Sequence, residues 1–139
     1  MGRIIIILVA VVFVLTTGLL TASAQPRDPV GVVDAYTAAI NAGDVEGALA
    51  FVADNAVYMR PAGQFIGKDQ VRGFIQDLVA RGARIELQGD RDTVRDYVSW
   101  ISRVTFANPG SGPSEIRNLA QSIVVDGKIV FHMAYPSPY

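Results

Sequence analysis

Apolar residues recur every three or four positions through the first 80 or so residues of this chain and every second position after Gly82. The first spacing predicts helices and the second predicts strands. Asp28-Pro29 reads as a helix start, an acidic N-cap followed by proline at the first helical position. Val32, Val33, Tyr36, Ala39 and Ile40 then form one apolar stripe, Gly43 ends the helix and Asp44 caps the next. The second helix is short, with Val45, Leu49 and Val52 on one face, and Asp54-Asn55 breaks it. Ala56 to Arg60 reads as a strand stopped by Pro61, and a brief strand follows around Phe65 and Ile66. A third helix runs from Asp69 to Arg81, burying Val71, Phe74, Ile75, Leu78 and Val79, and Gly82 closes it.

Beyond Gly82 the pattern is strand throughout. Ala83, Ile85 and Leu87 alternate with Arg84, Glu86 and Gln88. Asp90-Arg91-Asp92 reads as a charged turn before a long strand from Val94 to Phe106, in which Val94, Val98, Trp100, Val104 and Phe106 share a face. The NPGSGP stretch from Asn108 to Pro113 is a loop, and Glu115 to Val125 is the next strand. Asp126-Gly127 suits a two-residue hairpin turn. Lys128 to Tyr135 closes the domain, with Val130, His132 and Ala134 on one face and Ile129, Phe131, Met133 and Tyr135 on the other. The order is ααββαββββ. Three helices against one strongly curved antiparallel sheet make a cone-shaped α+β domain.

Residues 1–24 stand apart from this pattern. A short basic start at Arg3 leads into an apolar run from Ile4, and Ala22-Ser23-Ala24 gives an A-x-A cleavage pattern before Gln25. The expectation is a signal peptide over residues 1–24 and a secreted or periplasmic domain over residues 25–139. An uncleaved anchor through residues 4–20 is the competing reading, and the only membrane contact expected. The absence of cysteine leaves the domain to be held by its core alone and excludes a lipid-modified cysteine. Twelve basic residues against 13 acidic ones, without a basic cluster, argue against nucleic acid as a partner. One histidine and no spaced carboxylate pair give no metal site, and there is no phosphate loop or dinucleotide fingerprint, so no cofactor is expected.

Four stretches, AYTAAINAGDVEGALAFVADNAVYMRP, GKDQVRGFI, NLAQSIVVDGKI and HMAYPS, follow one another in an order that resembles the SnoaL-like and ketosteroid-isomerase-like branch of the nuclear-transport-factor-2-like superfamily. The resemblance implies a cone whose sheet and helices enclose a pocket open at one end, and relatives that often pair through the outer face of the sheet. Here Arg95, Tyr97, Ile101 and Arg103 would lie on that face, and a homodimer is expected. Ketosteroid isomerases use a first-helix tyrosine, a base aspartate on the first strand and a protonated aspartate on a late strand, the last being a standard example of a carboxyl group kept neutral. Matched by spacing, these positions hold Tyr36, Arg60 and Gln121. Arg60 cannot be a base, because guanidinium stays protonated. The Arg-x-Asp arrangement of limonene epoxide hydrolases is also missing from the inward line Val98, Trp100, Ser102.

The candidate chemistry is therefore of another kind. His132, tuned most easily to act near neutral pH, is the candidate general base, with Tyr36 and Gln121 as hydrogen-bond donors to an oxyanion. Arg60 suggests an anionic ligand, with a salt bridge to Asp54 or another carboxylate near the cone mouth as the plainer alternative. Arg117 has the same expected inward phase, while Tyr58 and Trp100 are expected as cavity walls. Two functions stay open: an exported pocket for a small apolar or anionic organic ligand, with or without cofactor-free acid–base catalysis, and a non-catalytic binding or dimerisation module.

Overall fold

The computed structural model describes residues 24–137, so the expected leader lies outside the described residues except for Ala24. The elements are α1 (Pro29–Asn41), α2 (Val45–Leu49), β1 (Val52–Arg60), β2 (Gly63–Ile66), α3 (Lys68–Ala80), β3 (Ala83–Val94), β4 (Tyr97–Phe106), β5 (Glu115–Val125) and β6 (Lys128–Pro136). Their order is the ααββαββββ read from the pattern. Asp28 and Asp44 act as N-caps, each accepting a hydrogen bond at 2.8 Å from the backbone N–H of Gly31 and Gly47 respectively. All six strands form one curved, unclosed sheet in the order β2-β1-β6-β5-β4-β3. Every neighbouring pair is antiparallel except β1 and β6, which run parallel and join the early half of the chain to its last strand.

The helices lie across the concave face of the sheet. Val32 and Ile40 of α1, Leu49 of α2, and Val71 and Ile75 of α3 meet Val52, Tyr58 and Ile129 in the main core. Asn41, at the end of α1, brackets β3: its amide donates to Ile85 O at 2.8 Å and its carbonyl oxygen accepts from Ile85 N at 2.7 Å. Arg91 of β3 reaches Asp34 of α1 at 2.7 Å. These ties hold α1 against β3.

Local pairing differs from the expected pattern in three places. Val52 opens β1 rather than closing α2, and Asp54-Asn55 is part of that strand. Val52 pairs with Ile129 and Val57 with Phe131, so the chain between them bulges and carries both polar residues to solvent. Asp90–Asp92 is likewise strand, since Asp92 pairs with Ser99 past an irregularity after Gln88. The turn falls at Arg95-Asp96, with Arg95 at φ 55° and the Asp96 carbonyl accepting from Val124 N at 2.8 Å. Val94 is consequently 68 % exposed beside that turn instead of sharing the buried face. In β6, Val130 is an extra residue between the Ile123–Phe131 and Val124–Ile129 pairs. The bulge lets Ile129 and His132 both face inward, which simple alternation forbids.

Candidate functional site

Across the concave face, inward side chains from neighbouring strands line up in rungs. Tyr58, His132, Ser122 and Val98 form the deepest rung. Two residues along each strand, Arg60 leads a second rung with Ala134, Ala120 and Trp100. The third holds Pro136, Asn118 and Ser102. The second rung explains the cavity: two alanines stand between an arginine and a tryptophan, and their missing side chains leave space. The resulting cavity measures about 300 Å³ and is roofed by Tyr36, Thr37 and Ile40 of α1 and by Phe74 and Leu78 of α3. That volume is at the small end of the usual range for organic ligands.

His132 is 5 % exposed, and its Nδ1 shares a 2.8 Å hydrogen bond with Ser122 Oγ. Its ring stacks on Trp100 at 5.8 Å and packs against Tyr58 at 4.9 Å between centroids. Burial, and next the positive charge of Arg60, hold the imidazole well below its ordinary pKa, with the Gln121 backbone opposing. It is neutral at pH 7. With Nδ1 engaged by Ser122, Nε2 is the nitrogen left for an occupant of the cavity.

Arg60 lies over Phe74, its Cζ 4.6 Å from the ring centroid. Its Nε is shielded from solvent and has no hydrogen-bond partner, and what exposure the side chain keeps is toward the cavity. Burial lowers its pKa, the nearby Tyr36 and Tyr58 opposing, but leaves guanidinium charged. Asp54 does not pair with it; that carboxylate points outward and meets Lys68 at 3.4 Å. The hydroxyls of Tyr36 and Tyr58 are also buried without a hydrogen-bond partner. Burial raises both phenol pKa values, so both remain protonated donors. No carboxylate lines the cavity among the described residues, whereas a second arginine, Arg81, does. Arg81 lies 4.0 Å above the Phe106 ring and makes a loose 3.7 Å pair with Asp77.

Tyr36, Arg60, Trp100 and His132 thus meet at one cavity, while three other candidates do not line it. Tyr58 is fully buried behind the wall, against His132 and Tyr36. Gln121 and Arg117 are on the outer face, because they pair with Met133 and Arg103 while their neighbours Ser122 and Ile116 point inward. The expected phase of β5 is off by one residue. Its bulkier apolar side chains, Leu119, Ile123 and Val125, are the exposed ones, and the inward line Asn118, Ala120, Ser122 is small and polar. Asn118 and Arg81 line the cavity and Ser122 bonds the His132 ring, and pattern reading missed all three. For β5 the two-residue Asp126-Gly127 turn misleads, because counting from its Val125–Lys128 pair would set Gln121 opposite His132, whereas the bulge at Val130 makes Ser122 the partner. Among the described residues no three histidine or carboxylate groups cluster to hold a metal.

A conical α+β domain with an open cavity, roofed by helices and floored by a curved sheet, is the architecture of nuclear-transport-factor-2-like proteins. The model of the SnoaL-like domain matches residues 33–132, and the chain belongs to that family. Among curated proteins none matches the sequence. Solved structures share the fold at low identity. An NTF2-like protein of unknown function from Cytophaga hutchinsonii is 13% identical with a TM-score of 0.69, over 84% of this chain and 96% of that one. SalBIII, an epoxide hydrolase/cyclase-like enzyme of pyran ring formation in the polyether salinomycin, is 18% identical with a TM-score of 0.70, over 79% and 91%. TerC co-crystallised with polyporic acid is 15% identical with a TM-score of 0.67, over 78% and 91%.

Proposed function

We propose that this domain binds a small organic acid inside the cone, with the acid group at Arg60 and an apolar body against Trp100, Ile40 and Leu78. One observation carries the reading: a charged guanidinium with a buried, unpartnered Nε faces a cavity whose described lining holds no carboxylate. A buried cation without a counterion is costly, and a ligand anion supplies what the protein withholds. TerC, which shares the fold, was co-crystallised with an organic acid, polyporic acid. The test is a thermal-shift screen against aromatic and aliphatic carboxylates paired with their neutral amides. A carboxylate at ~100 times its dissociation constant adds about 2.7 kcal/mol. Arg60→Met should abolish the shift from carboxylates and spare that from amides; equal loss of both would sink the reading.

Cofactor-free acid–base catalysis of the isomerase, dehydratase or cyclase kind is the second reading, supported by the neutral, Ser122-held imidazole of His132 at the cavity. His132 would move the proton at Nε2, with Tyr36 and Arg60 stabilising the oxyanion; Gln121 on the outer face drops out of that role. His132→Ala should end turnover and leave binding largely intact, so turnover surviving that change would exclude His132 as the base.

The non-catalytic alternative is a dimerising binding module outside the cytoplasm, delivered by the leader over residues 1–24. Its support is the outer face of β5 and β6, where Leu119, Ile123, Val125 and Tyr135 are 37–44% exposed in one patch. Sedimentation of Leu119→Glu/Ile123→Glu beside the parent checks it; identical masses would remove this face as the dimer contact.

A further inference from the structure

The third rung of the cavity wall carries a polar pair that neither the fold nor the core requires. Ser102 of β4 and Asn118 of β5 are directly paired across the sheet and both line the cavity. Ser102 is 4 % exposed, and no hydrogen bond from either side chain is made to another described residue. Their neighbours on the same strands toward the cavity mouth, Val104 and Ile116, are apolar, as are Trp100 and Ala120 on the deeper side. A hydroxyl and a carboxamide placed side by side in an apolar wall cost stability unless an occupant satisfies them. Their position is one rung toward the mouth from Arg60, and on the far side of the two alanines that open the cavity.

From this juxtaposition we infer that Ser102 and Asn118 form a second recognition point, selecting a ligand that carries an uncharged oxygen, a carbonyl or hydroxyl, in addition to its acid group. The ligand class is then an oxo or hydroxy carboxylic acid with an apolar body. The carbonyl accepts from the Asn118 amide N–H or the Ser102 O–H, and a hydroxyl also donates to the Asn118 carbonyl. This rests on the reading of the cavity as a site for an organic acid. It adds which acids are preferred and which residues select them. A wall built to hydrogen-bond an oxygen discriminates against the analogue that lacks it, because the protein groups are then left unpaired.

The experiment compares benzoyl-substituted propionate, butyrate and valerate with the phenylalkanoates of equal length that lack the ketone, by titration calorimetry. The three lengths bracket the distance between the acid and the oxygen. At least one keto acid should bind the parent protein about tenfold more tightly than its ketone-free analogue. Ser102→Ala and Asn118→Ala, alone and together, should bring that ratio toward one without changing the affinity of the ketone-free acid. Each single variant reads the result independently, should the double variant fail to fold. Equal binding of keto acids and analogues at all three lengths, or a ratio that survives both substitutions, overturns the inference and leaves the Arg60 site standing. Should none of the acids bind, valerophenone, a ketone without the acid, separates the two. Binding that is lost in the variants keeps the polar pair and sinks the acid site, whereas no binding of valerophenone overturns both.

Discussion

Replacing Arg60 by methionine should make the protein more stable and less functional at once. The shielded Nε–H has no acceptor, and an unmade hydrogen bond of that kind costs about 1–3 kcal/mol. Its removal relieves that cost. The lost contact with Phe74 returns about 0.5–2 kcal/mol to the other side. Methionine keeps most of the stem's packing, and its sulfur against the same ring recovers about 0.3–1.5 kcal/mol. The balance is a gain of about 1–2 kcal/mol, or roughly 4–8 °C in Tm for a domain of this size. Differential scanning calorimetry of ligand-free parent and variant at pH 7 measures it, followed by the same scans with a carboxylate that shifts the parent. The expected pair of results is a higher ligand-free Tm and no ligand shift. A variant that melts several degrees below the parent would refute the reasoning, because Arg60 would then be holding the fold rather than waiting for an anion.

Three further outcomes follow from the same geometry. Ala120→Leu should fill the space beside Trp100, weakening any cavity ligand by more than about tenfold while shifting Tm by only a few degrees, since the added volume enters an existing void; calorimetric titration and a melt decide it. The unfolded chain protonates His132 near pH 6.5, whereas the folded chain resists until well below. Acid therefore favours unfolding, and stability should fall by up to about 1.4 kcal/mol per pH unit below 6.5. Urea melts of His132→Asn between pH 5 and 7 should show a flatter profile, and an unchanged slope would show that His132 does not carry it. Gly82→Ala places a Cβ 2.9 Å from that of Ala107 at a φ of +63°. Denaturant melts should register a loss of about 1–2 kcal/mol.

Element order was legible in the sequence because caps, glycine stops and the change of period all agree. Asp28-Pro29, Gly43-Asp44 and Gly82 each mark the boundary that the structure has, within a residue or two. The candidate site was legible only in part, and the reason is physical. Alternation identifies the buried face of a strand by its greater hydrophobicity, which holds for β4, where Val98, Trp100, Val104 and Phe106 face inward. It fails for β5, because a strand that lines a cavity needs small and polar residues inside, and here its large apolar ones lie outside. Gln121 was assigned to the cavity by spacing, through the resemblance to ketosteroid isomerases, and Arg117 by its phase relative to Gln121; both are one residue out of phase. The bulge at Val130 is equally invisible to alternation; it turns Ile129 inward and shifts the β5–β6 register by one residue, so that Ser122 rather than Gln121 pairs with His132. Arg81 escaped notice because it stands at a helix end, where a basic residue has a plain explanation in the helix dipole.

The parallel pairing of β1 with β6 also sets when the site can exist. Tyr58 and His132 are neighbours in space, but ribosomal synthesis of the roughly 70 residues between them takes about 4–14 s. During that interval the β1–β2 hairpin has a bare edge where β6 will dock, and Arg60 has no cavity to face. Joining ends so distant in sequence is slow, because the entropy of closing the loop comes before the contacts that reward it. The last strand is inserted between two that are already made, and it brings His132 and Ala134 with it. A ligand of the cone therefore recognises only the finished chain, and adding it to a refolding reaction should slow unfolding while leaving the folding rate nearly untouched.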